Sequence, residues 1–174
     1  MFHKFDGMNE TTLSAIDALI NSFEKDTYTQ KHVISLLNYL VELDEKEEKQ
    51  TINAITKVLS FCTREFVKEP IIETLKSIKS STETKASLLA VCWESGLNYT
   101  DYLDVFVNEL IQNNEIVAIE AYTMIMEITA VSPKVKQAIE LIHQTDQKNY
   151  SAAHRIIIND SLQHLISLHN TSNN

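Results

Sequence analysis

Residues 85–126 read as helix, turn, helix, turn, helix, and that unit constrains what the rest of the chain can build. Over 86–93, Ala86, Leu89, Ala90 and Trp93 follow the i, i+3, i+4, i+7 rhythm of one helix face. Leu88, Val91 and Cys92 broaden that face, so the spacing predicts a helix buried on most sides. Gly96 supplies the left-handed residue that ends a helix, with Leu97 folding back on the last turn. Asn98 and Thr100 compete to cap the next helix, whose inner face is Leu103, Phe106, Val107, Leu110 and Ile111. Asn113 and Asn114 make a second break, and Val117, Ala118, Ala121, Tyr122 and Ile125 start a third helix. Helices this short are marginal alone, so each must bury its stripe against neighbours.

The flanking sequence supplies more of the same. The chain holds two glycines and two prolines in 174 residues, where average usage gives about 20 of the two together. Few positions are left for tight turns, and no period-two alternation is flanked by turn residues, so β-hairpins are disfavoured. The expectation is an all-α chain: a leader over 1–9, with Phe2 and Phe5 tucking onto the first helix, one helical domain over 10–169, and a frayed polar tail over 170–174. The first helix spans about 10–23, with Leu13, Ile16, Leu19, Ile20 and Phe23 inward. Residues 27–30 read as a capping box for a second helix ending near 43, with Val33, Leu36, Leu37 and Leu40 inward. The acidic run 44–48 opens a third helix, where negative charge meets the positive end of the helix dipole. Its stripe is Ile52, Ile55, Val58, Leu59 and Cys62. A fourth helix starts near Pro70 and buries Ile71, Leu75 and Ile78, and Ser80 with Glu83 reads as the next capping box. Ser132 and Pro133 open a helix burying Val135, Ala138, Ile139 and Ile142, and Ser151 caps the last one, to about 169.

The third and fifth helices superpose at an offset of 32 residues, with Ala54 on Ala86, Val58 on Ala90, Leu59 on Val91 and Phe61 on Trp93. The sixth and eighth superpose at the same offset, with Leu103 on Val135, Val107 on Ile139 and Leu110 on Ile142. At about 31, Ala121 falls on Ala90 and Met124 on Trp93. Paired helices recurring at this period mark α-solenoids. From Thr12 to about Thr145 the chain resembles HEAT or armadillo-type repeats, and 91–97 is reminiscent of a bacterial group with HEAT-like repeats. It departs from the HEAT pattern in its prolines, since Pro70 and Pro133 open second rather than first helices. The resemblance implies an α-α superhelix of about four helix pairs plus a C-terminal capping helix, whose concave surface binds another macromolecule.

Several functions are disfavoured. The net charge is −9, which opposes phosphate backbones and anionic lipid, so neither nucleic acid nor membrane is an expected partner. No apolar run is long enough to cross a bilayer, and 1–13 lacks the apolar core of a signal peptide, so a cytoplasmic location is expected. His3, His32, His143, His154, His164 and His169 are scattered and no His-Glu-x-x-His or Cys-x-x-Cys occurs, so no metal or other cofactor is expected. Cys62 and Cys92 sit in apolar helix faces, as core thiols do. Asp101 with Asp104 or Glu94 reads as helix-start carboxylate rather than acid–base machinery, and Trp93 reads as core. His154-Arg155 reads as part of a terminal capping helix.

The expectation is therefore a protein-binding module or small scaffold, not an enzyme. The second helices would line the concave side with His32, Ser35, Tyr39, Glu73, Lys76, Asp101, Asp104, Asn108, Gln137 and Glu140 outward. Within that stripe Tyr39, Glu73, Lys76, Asp101, Asp104 and Asn108 are the candidate partner-binding residues, and the partner is another protein presenting a basic or polar segment. Two alternatives stand beside it: a small-molecule binder or enzyme, using Tyr99, His154 or Glu94 in an apolar pocket, and a self-associating structural protein.

Overall fold

The computed structural model describes residues 10–44, 49–78 and 81–171. The leader 1–9, positions 45–48 of the acidic run, Ser80 and the last tail residues, 172–174, lie outside the described residues. Among the described residues the chain is all-α, without a strand. Its helices are α1 (Glu10–Glu24), α2 (Gln30–Asp44), α3 (Lys49–Ser60), α4 (Lys68–Ser77), α5 (Thr82–Glu94), α6 (Leu103–Gln112), α7 (Glu115–Met126), α8 (Pro133–His143) and α9 (Ala152–Thr171). Short 3-10 turns, Glu65–Val67 and Thr100–Tyr102, lead into α4 and α6. None of these helices is long and apolar enough to cross a membrane.

Local chemistry sets the boundaries. Asn114 accepts from the Ile116 and Val117 amides, Ser132 from Lys134, and Ser151 from His154, each satisfying orphan donors of a first turn. Ser81 does the same for α5 through Thr84. The box expected at 27–30 does not form. Thr27 instead donates its hydroxyl and its amide to the Ser22 carbonyl, closing α1 behind it. Asp26, at φ 51°, takes the left-handed position of that closure. Pro70 falls two residues inside α4 rather than at its start, still within the first turn, where amides have no helical partner. Asn98 and Thr100 share the entry to α6. The Asn98 side chain accepts from the Thr100 amide and hydroxyl, which builds the 3-10 turn.

The principal packing joins helices one or two places apart in the chain. The odd helices α1, α3, α5, α7 and α9 form one row, each against the next, while α2 packs on α4 and α6 on α8 in a second row that is nearly open between α4 and α6. One apolar cluster, from Ile16 to Leu165, is sandwiched along the chain. Polar bridges repeat along the N-terminal ends of the odd helices. Lys49 pairs with Glu83, Asn114 donates to Thr82, and Ser151 donates to Glu115, at separations of 34, 32 and 36 residues. Helices α3, α5, α7 and α9 therefore run parallel, in register.

Other bridges tie the turns. Arg64 donates to the carbonyls of Asp26 and Tyr28, pairs with the Asp26 carboxylate at 2.9 Å and lies over the Tyr28 ring. Lys68 donates to the Asn98 carbonyl. Inside the stack, Lys85 of α5 meets Glu109 of α6 at 2.9 Å, with both side chains mostly buried.

Candidate functional site

The residues expected to line the even helices fall in different surroundings. Tyr39 of α2 is half-buried against the core, and Asn108 of α6 is half-buried as well. Glu73 and Lys76, one turn apart on α4, pair with each other at 2.8 Å. Asp104, in the first turn of α6, pairs with Lys134 of α8 at 3.2 Å. The Lys76 ammonium is held above its ordinary value chiefly by the Glu73 hydrogen bond, which outweighs a burial penalty, with the charges of Glu73 and Asp104 adding to the rise. The Glu73–Lys76 pair closes within α4, and the Asp104–Lys134 pair joins α6 to α8.

Of the three acids among the candidate partner-binding residues, Asp101 alone makes no ion pair among the described residues. It stands exposed on the 3-10 turn rather than on the α6 face. His32 is tied to Ser22, 3.1 Å from its hydroxyl, while Gln137 and Glu140 are exposed on α8.

Periodicity alone did not show a groove of about 570 Å³ between α2 and α4. Its floor is Ile34, Leu37, Val41 and Pro70, and Glu69 and Glu73 stand on its α4 side. Ile34 is 42% exposed, outside the inward stripe of Val33, Leu36, Leu37 and Leu40, of which Leu37 also borders the groove. The signal was present, since Ile34, Leu37 and Val41 form a second apolar line at i, i+3, i+7.

The odd row presents a different surface. Phe61 (74% exposed), Ile116, Ile119 and Ile156 lie open on or beside its helices. Trp93 packs against the core as expected but is not enclosed by it. It is half-buried at the rim of a groove between α3 and α5, and its indole N–H donates to Glu120 at 2.9 Å. Its expected counterpart Phe61 falls just past the end of α3 and projects outward, so the 32-residue alignment does not carry burial at that position.

The residues considered for a small-molecule site stay apart. Tyr99 borders a cavity of about 200 Å³ between turns, Glu94 borders the α3–α5 groove, and His154 borders neither. His154 is buried, 2.6 Å from the Leu110 carbonyl through Nε2 and stacked on Tyr150. Among the described residues no group of His, Cys, Asp and Glu is placed to hold a metal.

The buried thiols have a pH consequence. Burial pushes Cys62 and Cys92 each up to about 12, partly offset by Tyr28 at Cys62 and by Tyr99 at Cys92. In the unfolded chain a thiol ionises near pH 8.5. The folded state therefore holds more protons above that pH, and stability should fall as pH rises from about 8.5. Melts between pH 7 and 10.5 should show Tm declining only in the upper range. Alanine at both cysteines should flatten the decline, and native thiols should resist a thiol reagent at pH 8.

Tyr99 is fully buried, its pKa raised first by burial, and its hydroxyl has no hydrogen-bond partner of ordinary geometry; Ser95 and Cys92 are the polar groups that act on it. Removing a buried unpartnered hydroxyl removes a desolvation penalty, so Tyr99→Phe is expected to stabilise by about 1 kcal/mol in chemical denaturation. A loss of stability would mean that the hydroxyl is bonded.

No family model, no curated protein and no solved structure matches the chain.

Proposed function

We propose that the chain is a HEAT-like α-solenoid that works as a protein-binding module, with the even row as its binding face. The observation that carries this reading is the packing order. Helices touch mainly the next or next-but-one helix, which leaves outward faces uncovered on the α2–α4 and α6–α8 pairs. Repeat arrays stacked this way use such long faces for macromolecular recognition. The polar bridges recurring at 32 to 36 residues support a repeated unit. Exposed Asp101, with Tyr39 and Asn108 beside the charged row, suits a basic or polar segment of another protein. Two buried, unbridged cysteines suit the reducing cytoplasm.

The test is capture of a stoichiometric partner on the tagged chain, followed by Asp101→Lys. Charge reversal at this exposed residue should weaken capture by about tenfold and leave Tm unchanged. Loss of capture together with Tm would show a structural position rather than a binding one.

Self-association is the competing reading, favoured by Phe61, Ile116, Ile119 and Ile156 on the odd row. Light scattering separates the two: a mass of 19.9 kDa supports partner binding, and twice that supports pairing of copies.

A further inference from the structure

We infer that the groove between α2 and α4 receives an amphipathic helix of the partner, apolar on its buried face and basic on the flank toward α4. This rests on the protein-binding reading and specifies its site and ligand class.

Three features lead to it. The first is the floor. Ile34 is 42% exposed, and with Leu37, Val41 and Pro70 it lines a space of about 570 Å³, enough for several large side chains. The second is the backbone. Beyond the first turns at Gln30 and Glu69 both walls are helices whose amides and carbonyls bond within themselves, and no sheet edge exists among the described residues. A segment lying here finds few partners for its own backbone, so it must satisfy them internally, as a helix does. A third helix lying along the seam of two neighbours is ordinary ridge-and-groove packing.

The third feature is charge. The groove lining contains no Lys, Arg or His, while Glu69 and Glu73 stand one helical turn apart on the α4 side. Glu69 makes no ion pair among the described residues, and Glu73 has only Lys76. The α2 side offers the neutral amides of Gln30 and Asn38. The complementary helix therefore carries Lys or Arg one turn apart toward α4, and apolar residues at i, i+3 or i+4, and i+7 toward the floor.

The test uses three labelled 18-residue peptides and fluorescence anisotropy on the full chain. One is an amphipathic Leu/Lys helix, one is the same composition scrambled, and one is an amphipathic Leu/Glu helix. The Leu/Lys helix should bind and the scrambled peptide should bind at least about tenfold more weakly. The deciding variant is Ile34→Asp. It adds negative charge, so plain electrostatic attraction would tighten binding, whereas groove insertion requires it to weaken by about tenfold. Glu69→Lys with Glu73→Lys should shift preference to the Leu/Glu helix.

Equal or tighter binding to Ile34→Asp overturns the proposal. So does equal binding of the scrambled peptide, unchanged preference in the double reversal, or no Leu/Lys binding up to about 0.1 mM. If the peptides fail while Asp101→Lys still releases a captured partner, the groove assignment falls and the binding module stands. If both fail, both fall.

Discussion

Replacing Lys85 with methionine is expected to destabilise the chain by about 3–5 kcal/mol and lower Tm by about 10 °C or more. Lys85 joins α5 to α6 through Glu109, its ammonium within 3.2 Å of both carboxylate oxygens. The side chains are 16% and 10% exposed, so water cannot replace a lost partner. Glu109 would keep only the Asn113 amide. The cost is that of stranding a carboxylate, not of forgoing an attraction. Lys85→Met combined with Glu109→Leu should therefore recover most of the loss, since an apolar pair of similar volume is often no worse than a buried ion pair. A useful contrast is Lys49→Ala, which removes the pair with Glu83, where both side chains are 66% exposed. Its effect should lie within error of the parent. Equal effects at Lys85 and Lys49 would contradict the burial assigned to the first pair.

His154→Ala is expected to cost about 3 kcal/mol, with the damage concentrated at one end of the molecule. The variant loses the bond to the Leu110 carbonyl and the stack on Tyr150, and opens a space in the core. Tyr150 itself donates to the Ile111 carbonyl, so the two residues together fasten the start of α9 to the end of α6. In a stack where helices rely on near neighbours, a local defect stays local. Hydrogen exchange should show α8 and α9 losing protection while α3 and α5 keep theirs. Uniform loss along all helices would mean a single cooperative unit and would weaken the repeat reading.

Much of this fold is legible in the sequence because helix burial follows spacing. The stripes of α2, α4 and α6 lie inward as their periodicity requires, and Asn114, Ser132 and Ser151 cap where short polar residues precede apolar ones. Thr27 misled because a capping-box pattern and a helix-closing turn use the same residue types, and Asp26 in a left-handed conformation decided between them. Trp93 misled because a large apolar ring at the edge of a buried face follows the same spacing as a core residue, and its N–H is satisfied through Glu120 on another helix of the same row. The site was harder still. Glu73 and Asp104 were legible as exposed acids, but their ion partners lie at i+3 and on α8, and the latter contact exists only after the row has formed. Nothing local to Lys85 marks its partner, because Glu109 lies 24 residues on, on α6.

The most direct test of the even row as the binding face is lysine cross-linking of the chain to its captured partner, read by mass spectrometry. Lys31, Lys76 and Lys136 are exposed on the even helices, and Lys49 and Lys57 on an odd one. Cross-links to the partner should concentrate on the first three. Cross-links confined to Lys49 and Lys57 would place the partner on the opposite row and contradict the account.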